Sequence, residues 1–199
     1  MRSKHLLLML LLALMAPWAV KAQTVTIGTS TTTSHYAPPI DNFYNYSFTE
    51  MLFAPSEIAA GNPQVNTIIS LGFNTSTGNN GWDYDITVYM KNVDDTEFGT
   101  AMLAVSNDDV YFEGNVGPVA ANSWMTFDLD RAFTYDPSKT LLIAVNKTAG
   151  HKAGQTNQYP GNSYNWNYTA TTNNTVVIAV AMIPTYIEIV EIAVLYRPK

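Results

Sequence analysis

Sixteen acidic residues, three histidines and no cysteine bound the chemistry open to this chain. Retaining glycoside hydrolysis needs two carboxyl groups about 5–5.5 Å apart across one bond. Glu188 and Glu191 are the nearest such pair on a predicted strand. Three residues apart, they face opposite sides of a regular strand. They read instead as solvated charges that discourage edge-to-edge strand pairing. A jelly-roll glycoside hydrolase is therefore the least favoured function class. Nucleophilic catalysis fares no better: His5, His35 and His151 are the only imidazoles, and no Gly-x-Ser-x-Gly elbow accompanies them. The expectation is a protein without catalytic residues.

Metal binding is the second chemistry to weigh. Asp83 with Asp85, Asp94 with Asp95 and Glu97, and Asp108 with Asp109 are short acidic clusters. Calcium takes six to eight oxygen ligands and suits such loops, although none has the spacing of an EF-hand. The same acids read equally as solvated turn residues. The third chemistry is stacking. Tyr159, Tyr164, Trp166 and Tyr168 lie among Asn157, Gln158, Asn162 and Asn165. Aromatic faces beside amides suit a glycan. Tyr164, Trp166 and Tyr168 alternate, so a strand would place them on one face, either as a platform or as core. The expected ligand-binding set is Trp166, Tyr164, Tyr168, Tyr159 and Asn165, with Trp82 as a weaker candidate.

The elements that must position these residues are short strands between turns. Candidates are Thr24–Thr29, Tyr44–Phe53, Val65–Phe73, Asp85–Lys91, Val110–Val116, Trp124–Leu129, Leu141–Val145, Val176–Ile183 and Ile187–Tyr196. Leu141–Val145 is wholly apolar, as a strand buried on both faces would be. Turns are expected at Ala60–Pro63, Gly78–Gly81 and Asp136–Lys139. Ser56–Ala60 reads as a helical turn, and Asp94–Met102 as a second one or an acidic loop. The long polar stretch His151–Ala170 reads as a functional loop. About nine strands without interleaved helices predict an all-β, antiparallel two-sheet sandwich of jelly-roll type.

The N-terminus carries Arg2 and Lys4, an uncharged apolar run from Leu6 to Met15, Pro17, and Val20-Lys21-Ala22. This is the layout of a secretory signal over residues 1–22, too short for a membrane span of about 20 apolar residues. Cleavage after Ala22 would leave 177 of the 199 residues as one domain, 23–199, without membrane insertion. Seven basic residues would then face sixteen acidic ones, a net charge of −9. That balance argues against nucleic acid as a partner and is compatible with neutral glycans or a host or surface protein. Without cysteine, the exported chain has neither disulfides nor a lipidated cysteine.

Several of these residues occur together in a familiar order. Gly28–Ser34, Pro38-Pro39, Tyr44-Asn45-Tyr46-Ser47, Glu50, Glu57 and Ile58, followed by Trp124–Val145, resemble an exported module common in Bacteroidetes. That module is similar to the cleaved-adhesin and haemagglutinin domains found beside gingipain-type proteases. The resemblance spans roughly Gln23 to Gly150. It implies a jelly-roll sandwich, a secreted or cell-surface location, adhesion, and a structural calcium ion. It also implies that Glu50, as a buried carboxylate, joins Asp83, Asp85, Asp94 and Asp95 around that ion. After Trp166 the resemblance ends, and residues 175–199 form an atypical apolar terminus. The reading is an adhesin-like, non-catalytic binding module, with a structural or assembly domain as the alternative.

Overall fold

A computed structural model describes residues 24–27, 32–34, 39–41, 46–63, 66–76, 82–99, 101–152, 166–168, 177–181 and 194–195. For 32–34, 82, 149–152 and the pieces beyond 152, only the backbone course is described. The strands are β1 (Thr32–Ser34), β2 (Tyr46–Phe53), β3 (Thr67–Asn74), β4 (Trp82–Val93) and β5 (Val110–Val116). They continue with β6 (Trp124–Thr134), β7 (Thr140–Lys152), β8 (Trp166–Tyr168), β9 (Val177–Ala181) and β10 (Val194–Leu195). One short helix, α1 (Pro55–Ala60), follows β2.

The six long strands make two antiparallel sheets. The larger has the order β2-β7-β4-β5 and the smaller pairs β3 with β6. The short pieces add to them: β9 lies beside β2 with β10 beyond it, and β1 pairs with β8. The sheets are assembled by alternation. Met51, Ile143, Val88, Ile86 and Met90 point from the larger sheet toward Met125, Phe127, Phe133 and Tyr135 of the smaller. Each fully buried side chain of this size contributes about 1.5–3 kcal/mol. Tyr111 stacks edge-on against Phe133 at 5.0 Å, and Phe112 meets Phe127 at 4.6 Å, joining β5 to β6 across the core. Arg131 lies 4.0 Å from the Tyr111 ring centroid and donates from Nε to Val110 O at 3.0 Å.

The expected strand β5 has its predicted bounds, and α1 contains the predicted helical turn. Leu141–Val145 is buried throughout, as its composition requires, because β7 lies between β2 and β4 and is covered on both faces. β7 nevertheless runs on to Lys152, beyond the apolar run. His151 and Lys152 therefore belong to a strand and not to the polar loop expected there. Residues 24–27 are not strand, and 94–99 are not helical. The predicted turn at Asp136–Lys139 forms: Asp136 Oδ1 accepts from Ser138 N at 2.9 Å, and Tyr135 Oη donates to Lys139 O at 2.8 Å. Those bonds from Ser138 hold the Asp136 carboxyl below its ordinary range.

A second, smaller apolar cluster covers the other face of the large sheet. Leu52 and Leu142 are capped there by Phe98, with Val93, Met102, Leu103 and Val105 around them. The segment after β4 thus acts as a strap over one end of that face.

Candidate functional site

The smaller sheet exposes its outer face, and the ladder fixes what it displays. Asn74 pairs with Trp124, Gly72 with Thr126, and Ser70 with Asp128. Directly paired residues share a face, so these six side-chain positions form one patch. Met125 and Phe127, one residue out of phase, point into the core. Trp124 therefore lies on the polar phase of an alternating strand, and it is 47% exposed.

Its position is held from two sides. A Cβ built at Gly72 would sit 3.4 Å from Trp124 Cε3 and 3.1 Å from Thr126 Cγ2. The indole thus rests against the bare backbone of Gly72. The chain just before the tryptophan is clamped as well. Ser123 O accepts from Thr75 N at 2.8 Å, Thr75 Oγ1 at 3.2 Å and Asn74 Nδ2 at 3.2 Å. Thr75 Oγ1 also lies 2.9 Å from Ala120 O. Beside the indole, Gly117–Ala120 and Ser123–Thr126 line a shallow open cleft of about 260 Å³. The patch contains no lysine or arginine.

The residues singled out from sequence lie elsewhere. Trp166 and Tyr168 are on β8, paired with Ser34 and Thr32 of β1, and β8 runs close to β3. Tyr159, Tyr164 and Asn165 lie outside the described residues, as do residues 1–22, His35, Glu188 and Glu191. Asp83 and Asp85 share one face of β4. Asp85 Oδ1 accepts from Asn115 Nδ2 at 2.9 Å, while Asp83 Oδ1 is buried without a hydrogen-bond partner. Asp94 pairs with Lys139 at the far end of β4, and Asp95 is exposed next to it. Glu50 sits at the centre of β2 opposite Ala144, on the strap-covered face. Among the described residues no three carboxylates or imidazoles converge. The acids expected at the calcium ion thus lie at three separate places: Asp83 with Asp85, Asp94 with Asp95, and Glu50.

Two buried ionisable groups were not both visible in the sequence. Glu50 is 0% exposed; its Oε2 accepts from Leu103 N at 2.9 Å, and its Oε1 has no hydrogen-bond partner. Burial pushes its carboxyl up to about 7, against the pull of the Leu103 amide. Lys147, opposite Ser47 on the core face of β7, is also 0% exposed. Its Nζ donates to Asp41 O at 2.6 Å and lies 5.5 Å from the Tyr84 ring centroid. Burial pulls its amine down to about 7, opposed by the charge of Asp41. The two groups lie on opposite faces of the sheet, so they do not pair. Neither is open to a ligand.

In the sequence, Trp124 stands out only as the start of the Trp124–Val145 motif. Its phase was the available signal, since Trp124, Thr126 and Asp128 alternate with Met125, Phe127 and Leu129. What the arrangement can do chemically is stack and hydrogen-bond. It offers a fixed aromatic face, hydroxyls and a carboxylate, without a paired acid and base. No family model, curated protein or solved structure matches this chain, so the adhesin-like resemblance rests on the residues quoted above.

Proposed function

We propose that this chain is an exported, non-catalytic binding module of a bacterial envelope, adhesin-like, with a jelly-roll arrangement of its sandwich. The observation that carries the reading is Trp124, an indole held against Gly72 and left 47% exposed on the outer face of the smaller sheet. A large aromatic residue is usually placed on the buried phase of an alternating strand, because burial contributes about 1.5–3 kcal/mol. Leaving it outside forgoes that stabilisation, and the forgone energy becomes available to a ligand. The leader-like N-terminus supports export, and the motif order supports the adhesin-like class.

The test is a surface-binding assay with the purified protein on immobilised matrix proteins and polysaccharides, run beside Trp124→Ala. Saturable binding that the variant loses is the expected result. Turnover of a glycoside or ester substrate by the purified protein would sink the non-catalytic reading.

A further inference from the structure

Within that reading, the patch around Trp124 carries enough detail to name a ligand class. We infer that it binds a neutral saccharide, with one ring stacked on the indole and the chain continuing along the ladder toward Asp128. Four features lead there.

The first is rigidity. The Gly72 contact fixes the indole from one side, and the Thr75 and Asn74 bonds to Ser123 fix the backbone that presents it. A preordered aromatic loses little conformational freedom on binding. The second is shape. Residues i and i+2 of a strand lie about 7 Å apart, so Trp124, Thr126 and Asp128 span about 14 Å in line. That is a row of sites, suited to a linear ligand with repeated polar groups. The cleft of about 260 Å³ at the Trp124 end is below the 300–1,000 Å³ typical of enclosed drug-sized sites, so it accepts one small unit at the end of the row.

The third feature is polarity. Thr126 next to the ring, and Ser70 and Asp128 farther along the row, are exposed and offer hydroxyl donors and acceptors and a carboxylate acceptor. A sugar ring matches this mixture, having an apolar C–H face and a rim of hydroxyls. The fourth is charge. Nucleobases also stack on aromatic rings, but single-stranded nucleic acid needs a positively charged groove. Here the patch has no basic residue and carries Asp128, on a chain with net charge −6. Anionic glycans and nucleic acids are both disfavoured by that field. A protein partner needs about 800 Å² of contact on each side. Among the described residues, Trp124 and Ile69 are the only large apolar side chains that are exposed. Ile69 stands out of the Trp124 row, at the bulge between Ile68 and Ser70.

The experiment titrates the purified full chain with neutral oligosaccharides: β-1,4-glucan, β-1,3-glucan, mannan, galactan and chitin fragments, each followed by calorimetry and by tryptophan fluorescence. The expected result is saturable binding of at least one of them. Affinity should fall about tenfold or more in Trp124→Ala, a loss of about 1.4 kcal/mol. Trp124→Phe should retain part of it. Gly72→Ala supplies a second variant that keeps the indole but presses on Thr126 Cγ2, which a Cβ would meet at 3.1 Å, and should weaken binding by displacing that hydroxyl from the row while the melting temperature changes little. Circular dichroism of each variant separates a lost site from a lost fold. Binding that is unchanged in folded Trp124→Ala would overturn the site. If none of these saccharides binds, while the surface assay still shows Trp124-dependent capture of a protein, the saccharide inference fails and the binding-module reading stands. Failure of both assays overturns both.

Discussion

The two faces of the large sheet bury opposite charges and handle them differently. On the strap side, Glu50 has one oxygen bonded to Leu103 N and one with no partner. On the core side, Lys147 reaches the main chain of Asp41, itself only 2% exposed, with an aromatic ring within 5.5 Å. The carboxylate is covered by the segment after β4, whereas the amine lies against the Asp41 carbonyl and the Tyr84 ring. The comparison teaches that similar burial does not mean similar dependence. Loss of the lysine would remove a buried stem and a donor to the Asp41 carbonyl, whereas loss of the glutamate's charge would relieve a cost.

The largest effect should come from breaking the core side. Lys147→Ala should lower stability by about 2–5 kcal/mol, as truncation of a large, fully buried side chain does. Lys147→Met keeps the stem and should recover much of that loss. Urea denaturation reads both, and a cost below about 1 kcal/mol for the alanine variant would mean that the Lys147 stem is not packed in the core.

The intermediate effect sharpens the strap side through pH. The Glu50 carboxyl holds its proton more tightly in the folded chain than its ordinary value of 4.5 would allow. Its contribution is therefore most favourable below pH 4.5 and is lost as pH rises through about 7. Lys147 has the opposite limb: its folded pKa is depressed from 10.5 to about 7, so its cost is full below pH 7 and is relieved as pH climbs toward 10.5. Glu50→Gln should remove the first limb only. Relative to wild type, the variant should gain up to about 3 kcal/mol between pH 4 and pH 8.5. A wild-type-minus-variant difference that stays flat over that range would show that the carboxyl is not desolvated.

The smallest effect marks the contrast with the surface. Asp94 and Lys139 form an ion pair, but the Asp94 side chain is 86% exposed. Asp94→Asn should leave the melting temperature within experimental error, since exposed pairs are screened by solvent and salt. A clear drop would mean that the strap depends on its charged end more than on Phe98 and Leu103.

The same contrast governs what the sequence could reveal. Strand β5 and the Leu141–Val145 run were legible because alternation and uninterrupted apolarity are local signals. Lys147 was not, because a lysine two residues past an apolar run ordinarily marks the exposed end of a strand. Pairing with Ser47 of β2 on one side and Ile86 of β4 on the other carries that strand onward and keeps Lys147 inside. Glu50 was legible only through the family resemblance. Its burial follows from Phe98 and Leu103 lying about fifty residues away in sequence, where no local pattern reaches. Trp124 falls between these cases. Its phase was readable, but the Gly72 contact that fixes it depends on cross-strand register, which sequence alone leaves open.

The packing at Gly72 also has an evolutionary reading. Positions 72, 124 and 126 behave as one inherited character. A Cβ at 72 would meet Thr126 Cγ2 at 3.1 Å and the indole at 3.4 Å, so glycine is favoured first by the threonine across the ladder and second by the tryptophan. Once both are replaced by smaller residues, that preference disappears and position 72 is free to drift toward the β-branched residues a strand prefers. Regaining the original surface would then require reversing all of these changes. Descendants that keep the indole and the threonine should keep the glycine, and those that have lost all three should have abandoned the ligand.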